Sequence, residues 1–278
     1  MFALLFCYVA REEMIGLLTA YFDDSGTHDG ATVVLLGGLL GDEHQWSAFE
    51  RGWSSCLQNP TKGRGPIGRF HAFDLQHSVG EFAGWKRPES DNAFYNFRQV
   101  IIESGLLGYA IAVDIAAWNE LVVGPLRTFL GDAERFCVSQ CILKSNAIAL
   151  AVDPQKDLKF VFDNRPHRSE ANKRIFEIFQ HFSRLERELP ALTDIAFLGS
   201  TGCLPLQGAD LVAYEYYRLS HDLALANGQR IQARPHWERL SETGRIHGDI
   251  ALRPEIERIS KQQVSQEYAD AAQDQLGL

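Results

Sequence analysis

Cysteine is sparse in this chain and is not arranged for a purpose. Its 278 residues hold five, Cys7, Cys56, Cys137, Cys141 and Cys203, an odd number with no CxxC pair. That pattern signals neither a disulfide framework nor a thiolate zinc site. It reads as the reduced thiols of a cytosolic protein. Cys137 and Cys141, four apart, share one helix face as small buried apolar groups. Positive charge is also short: 27 Lys plus Arg stand against 36 Asp plus Glu, a formal net charge of −9. Broad attraction to nucleic acid or to anionic membranes through overall charge is thereby excluded, while a local basic groove is not. No apolar run has membrane-spanning length. The run from Phe2 to Ala10 is too short for a bilayer and lacks the basic flank and small-residue cleavage site of an export signal, so the chain reads as cytoplasmic, with no membrane partner. Met14 lies just before the first strand, and the preceding thirteen residues read as a dispensable extension or as a start codon set too early.

What is present is an ordinary globular composition, 45% apolar and 23% charged. The chain is long enough for a substantial core. With no internal repeat and no low-complexity linker, it reads as one α/β domain over residues 14–228, followed by a helical and loop extension over 229–278.

The stretch Tyr21 to Gly26, YFDDSG, organises the rest. An apolar run ends there in the adjacent carboxylates Asp23 and Asp24 and then a Ser-Gly turn, which places negative charge at the mouth of a buried strand. Burying carboxylates is costly unless a cation, a basic side chain or backbone N–H groups offset it. Asp29-Gly30 is a hairpin signal leading to a second strand over Thr32 to Leu40. Asp42 then caps a helix with Trp46, Phe49, Trp53 and Leu57 at helical spacing. Residues 59–68 read as a loop, and RFHAFDL (69–75) as a short strand or turn that carries His71 and Asp74. A further helix starts at Ser90, and Leu106 to Ile115 is a third strand. Residues 116–150 are helical with a break at Gly124-Pro125. DLKFVFD (157–163) is a fourth strand that ends in Asp163 and is followed by Asn164. A helix over 169–188 precedes a fifth strand at Thr193 to Leu198, and LQGADLVAYEYYRL forms a last helix on which Gln207, Asp210 and Tyr214 share a face.

Asp23 and Asp163 end strands, and Asp210 sits among apolar residues on a helix. Strand ends gather at one edge of an open α/β sheet, where ligands usually bind. Carboxylates brought together there repel one another unless divalent cations keep them ionised, and all-oxygen ligands suit Mg²⁺ or Mn²⁺ better than zinc. Two such ions about 3.5 to 4 Å apart can activate water and stabilise the leaving oxygen of a phosphodiester. The residues themselves therefore point to a metal-dependent phosphoryl hydrolase. For each aspartate the alternative is a carboxylate that caps a turn or pairs with arginine.

YFDDSG, FVFDN and LQGADLVAYEYYR, in this order, resemble the motifs of the domain-of-unknown-function family numbered 3800, across roughly residues 17–220. That family is similar to ribonuclease H-like nucleases. The resemblance implies a mixed five-stranded sheet flanked by helices, with strands one to three antiparallel and a helical insertion over about 41–105 between strands two and three. It implies a metal site of Asp23, Asp163 and Asp210, with Asp24 as an added ligand where many members carry glutamate. A glutamate on the first helix after strand three belongs to such sites, and Glu134 is the nearest one. His71 and Asp74 are expected as acid, base or substrate contacts, and Gln207 and Asn164 as supporting groups. Arg165 and Arg168, in a basic cluster with His167, Lys173 and Arg174, are expected to contact a phosphate backbone. The expected function is hydrolysis of RNA or DNA. The alternative is an inactive member that binds nucleic acid or a protein partner, in the setting of bacterial defence. An ATP-handling fold, prompted by Asp24-Ser25-Gly26-Thr27, lacks a second glycine-rich phosphate loop.

Overall fold

The computed structural model describes residues 17–153, 157–164, 169–184, 192–226, 229, 231–232, 234–262 and 264–265. Strand β1 (Leu18–Ser25) turns through Asp29-Gly30 into β2 (Val33–Asp42), and the two pair antiparallel with Asp24 opposite Leu36. Gly30 takes φ +82°, the left-handed backbone that this turn requires. Asp42 caps α1 (Glu43–Gln58) in a reciprocal box with Gln45. Then come α2 (Ala72–His77), a 3-10 turn at Gly80–Phe82, and α3 (Arg87–Glu103). The rest of the order is β3 (Leu107–Asp114), α4 (Ile115–Leu121), α5 (Gly124–Leu130), α6 (Ala133–Val152), β4 (Leu158–Asp163), α7 (Ser169–Ser183), β5 (Leu192–Leu198), α8 (Leu204–Leu225), α9 (Pro235–Ser241), β6 (Ile246–Ala251) and α10 (Arg253–Ser260).

The six strands form one mixed sheet in the order β5-β4-β1-β2-β3-β6. β2 is antiparallel to both β1 and β3, whereas β4 runs parallel to β1 and β5 parallel to β4. Both faces are covered. On one, Leu18, Ala20 and Phe22 of β1 join Tyr109 and Ile111 of β3 against Cys137, Cys141 and Ile142 of α6 and Ile178 and Phe179 of α7. On the other, Leu35 and Leu39 of β2 meet Trp46, Phe49 and Trp53 of α1, Phe94 and Phe97 of α3, and Leu211 and Val212 of α8. β2 is buried along its whole length because both layers press on it, which is why it reads as a continuous apolar run. At Gly37 a Cβ would lie 2.9 Å from the Ala213 Cα, so α8 crosses the sheet centre at a distance only glycine permits.

Three expectations are corrected. The sheet has six strands, not five, because residues 246–251, expected in a helical and loop extension, pair parallel with β3. Their sequence, IHGDIA, breaks the apolar alternation with Gly248 and Asp249; Gly248 is required because a Cβ there would strike the Tyr216 ring. Residues 72–77 are helical rather than strand or turn, and the first N–H of this helix is held by α8, as described below. α3 begins at Arg87, not at Ser90, with Pro88 in its first turn, where the missing N–H costs nothing. Of the helix expected over 169–188, residues 185–188 lie outside the described residues.

Candidate active site

The site is built where β1 and β4 end side by side. Phe22 stands opposite Phe162 in the parallel ladder, so Asp23 and Asp163 follow as neighbours at the same sheet edge. Side chains alternate along a strand. Phe22 and Phe162 enter the core against α6 and α7, which turns Asp23 toward the α8 side and Asp24 back toward α6. Asp23 is buried, at 6% exposure, and its Oδ1 accepts from the Asp24 N–H at 2.9 Å.

Asp24, Asp163 and Glu134 line one small pocket at this edge, with Asn172 of α7 and the apolar Phe22, Val138 and Ile175 around them. Its volume is about 20 Å³, room for one occupant the size of a water molecule or ion. Glu134 belongs to the first turn of α6, whose N-cap Asp132 accepts from the Arg135 N–H at 2.8 Å. A carboxylate there is favoured by the helix dipole.

α8 holds the loops around this edge. Gln207 is fully buried. Its Oε1 accepts from Trp53 Nε1 and from the Phe70 N–H, each at 3.0 Å, and its Nε2 donates to the Ser200 carbonyl at 2.9 Å. The same Ser200 donates its N–H to Asp163 Oδ1 at 3.0 Å. One turn further along α8, Asp210 Oδ2 accepts from the Ala72 N–H at 2.7 Å and so caps α2 from across the fold. Gln207 and Asp210 thus grip the two residues that flank His71. The His71 Nδ1 lies 3.1 Å from Asp74 Oδ1, within ion-pair range but without hydrogen-bond geometry.

Electrostatics in this neighbourhood follow burial. The Tyr21 hydroxyl is pushed up to about 12 by desolvation, with Cys203 and Glu50 adding to it, and the Cys203 thiol is raised by burial with smaller contributions from Glu50 and Asp163. Both groups stay neutral at physiological pH and serve as packing beside the carboxylates.

Asp24, Asp163 and Glu134 line one pocket, Asp23 and Asp163 stand side by side at the ends of β1 and β4, and Asp210 has a backbone partner. Asn164 lies outside the pocket and accepts from Asn172 Nδ2 at 2.8 Å. Arg165, His167 and Arg168 lie outside the described residues. Of the basic cluster, Lys173 reaches Glu177 at 3.8 Å and Arg174 reaches Asp132 at 3.4 Å, tying α7 to itself and to α6. Asn172 and Ser200 carry no motif, and only the packing of α7 and the β5-α8 loop brings them to the edge.

The carboxylates offer the all-oxygen donor set that hard divalent cations prefer. Among the described residues, however, no three His, Cys, Asp or Glu side chains are grouped closely enough to hold a metal ion between them. No helix among the described residues is long and apolar enough to cross a membrane.

The chain is similar in structure to a ribonuclease HIII. That structure, Bst-RNase HIII in complex with Mn²⁺, shares 12% identity, with 96% of this chain and 73% of that one covered and a TM-score of 0.42. No family model matches the chain, and no curated protein matches it.

Proposed function

We propose that this protein is a nuclease of ribonuclease H-like fold that hydrolyses phosphodiester bonds of RNA or DNA with the help of Mg²⁺ or Mn²⁺. The observation that carries the reading is the pocket shared by Asp24, Asp163 and Glu134, contributed by β1, β4 and the first turn of α6. The strand directions support it: three antiparallel strands with the fourth parallel to the first bring two strand-end carboxylates to one edge.

Asp24, Asp163 and Glu134, which are not grouped closely enough to share an ion in this structure, would have to draw together to hold the cation, and Asp163 keeps the role that the motifs suggested for it. Asp24 takes the role first given to Asp23, because alternation along β1 puts Asp24 on the side of Glu134. The cation, when bound, would supply a water of lowered pKa and neutralise charge on the phosphate. The remaining work falls to the chain. Ser200 fixes the rotamer of Asp163 through its N–H, and Gln207 fixes Ser200. Asp210 and Gln207 hold His71 in place beside α8, where its imidazole and Asp74 are available to hydrogen-bond substrate or leaving group.

Cleavage of a mixed panel of single- and double-stranded RNA and DNA, with Mg²⁺ or Mn²⁺, tests the proposal. Asp163→Asn and Asp24→Asn should each abolish turnover while melting at the parent temperature, and a chelator should stop the parent enzyme. Activity that survives chelation, or an Asp163→Asn variant as active as its parent, would sink it. A second reading, a nucleic-acid- or protein-binding member without turnover, is favoured by a separate observation: Asp210 caps α2, and no three-residue metal group is assembled among the described residues. Strand binding without cleavage in any metal would establish it.

A further inference from the structure

A second cavity opens beside the carboxylate pocket, between the first turns of α6 and the middle of α7. It measures about 150 Å³ and shares Glu134, Val138, Ala171 and Ile175 with the pocket, so the two form one continuous groove. Its size is that of an engineered protein cavity known to accept a benzene ring. The floor is apolar, made by Val138, Ala171, Ile175 and Ile178. The rim is polar and close to charge-balanced. Asp132, Glu134 and Glu177 stand with Arg135 and Arg174, and Lys173 approaches Glu177.

A balanced rim does not select an anion, since the carboxylates would repel a bare phosphate as the guanidiniums attract it. A wholly apolar ligand would strip water from the rim groups and give them no hydrogen bond in return. An uncharged flat ring with donors and acceptors on its edge satisfies both. Exocyclic amino groups donate to carboxylates, while ring nitrogens and keto oxygens accept from guanidinium.

Resting on the nuclease reading of the adjoining pocket, we infer that this groove takes one unpaired nucleobase next to the scissile phosphate, which makes the substrate single-stranded or locally unpaired nucleic acid. A base seated between two helices cannot keep its pairing partner. In a duplex the same seat would require unpairing and unstacking, a cost of a few kcal/mol.

Binding of a short single strand, of its duplex, and of the strand with an abasic position scanned along it, measured by fluorescence anisotropy with the full chain in EDTA, tests this apart from cleavage. The single strand should bind more tightly than the duplex, and one abasic position should weaken it roughly tenfold or more. Ala171→Leu, which fills the cavity floor, should erase both differences while melting like the parent, with Ile175→Phe as a second filler should the first fail to fold. Equal binding of strand and duplex, an abasic scan without effect, or a folded filler that binds like the parent overturns the inference. Discrimination that persists in a protein with no cleavage in any metal upholds the groove and refutes the nuclease reading.

Discussion

Gln207 is the side chain whose loss should tell most about how the site is held. Replacing it with leucine keeps the volume on α8 and removes both ends of its amide. Trp53 Nε1 and the Phe70 N–H then lose their shared acceptor, and the Ser200 carbonyl loses its donor. A buried polar group left without a partner costs about 1–3 kcal/mol. Trp53 is fully buried and Phe70 almost so, and these two donors carry the full penalty. Ser200 lies in a partly exposed turn where water replaces the lost bond at little cost. The sum is about 2–6 kcal/mol of destabilisation, read as a lowered urea midpoint with an unchanged slope. Gln207→Glu separates the two ends, since it keeps an acceptor for Trp53 and Phe70 but cannot donate to Ser200 when ionised. In a cleavage assay the leucine variant should lose activity beyond what its folded fraction explains, because Ser200 no longer fixes Asp163. A change below about 0.5 kcal/mol, the range of an ordinary surface substitution, would refute the reasoning that these bonds are buried and unshared with water.

Two further outcomes concern the polar layer between α3, α8 and α9. Glu215, fully buried, accepts from Arg234 Nε and Nη2 at 3.1 Å each, and Glu215→Ala should cost about 3–5 kcal/mol in urea unfolding by leaving that guanidinium without its buried partner. His236, hydrogen-bonded through Nδ1 to Arg98 at 3.1 Å and packed on the Phe94 ring, has its pKa lowered from 6.5, first by desolvation. Between that lowered value and 6.5 the unfolded chain binds the proton that the folded chain refuses, so stability contributed by neutral His236 is complete above 6.5 and is lost as pH falls through this window. Urea titrations across the window should show a smaller loss for His236→Gln than for the parent, and equal losses would exclude His236 as the source.

Much of the sheet was legible because its signals are local. Alternation and apolar runs mark β1 to β5, the Asp29-Gly30 turn forces β1 and β2 antiparallel, and Gly124-Pro125 opens α5 just after α4 has ended. β6 was not legible because an edge strand with a glycine dictated by the Tyr216 ring carries little alternation of its own. Residues 72–77 were misread for a related reason. Six residues make too short a helix to announce itself, and its N-terminus is satisfied by Asp210, distant in sequence.

Motif position and strand alternation point to different neighbours in YFDDSG, and that one-residue difference decides which side chains meet. Motif position favours Asp23, directly after Tyr-Phe, but a strand turns successive side chains to opposite faces, and the face is set by which residues enter the core. Phe22 enters it against α6 and α7, stacked on Phe162 with ring centroids 5.5 Å apart. That single packing choice sends Asp23 toward α8 and Asp24 toward Glu134. No window of sequence around YFDDSG contains the information, because it lies in Phe160, Phe162 and Phe179, which share the layer with Phe22. If the alternation argument holds, Asp24→Asn and Glu134→Gln should fail together in cleavage, with the double variant no worse than either single one. Asp23→Ala should instead register first as a loss of stability, since it removes the Oδ1 that accepts from the Asp24 N–H inside the fold. An Asp23→Asn variant that melts like its parent yet is inactive would reverse the assignment and return the role to the residue the motif favoured.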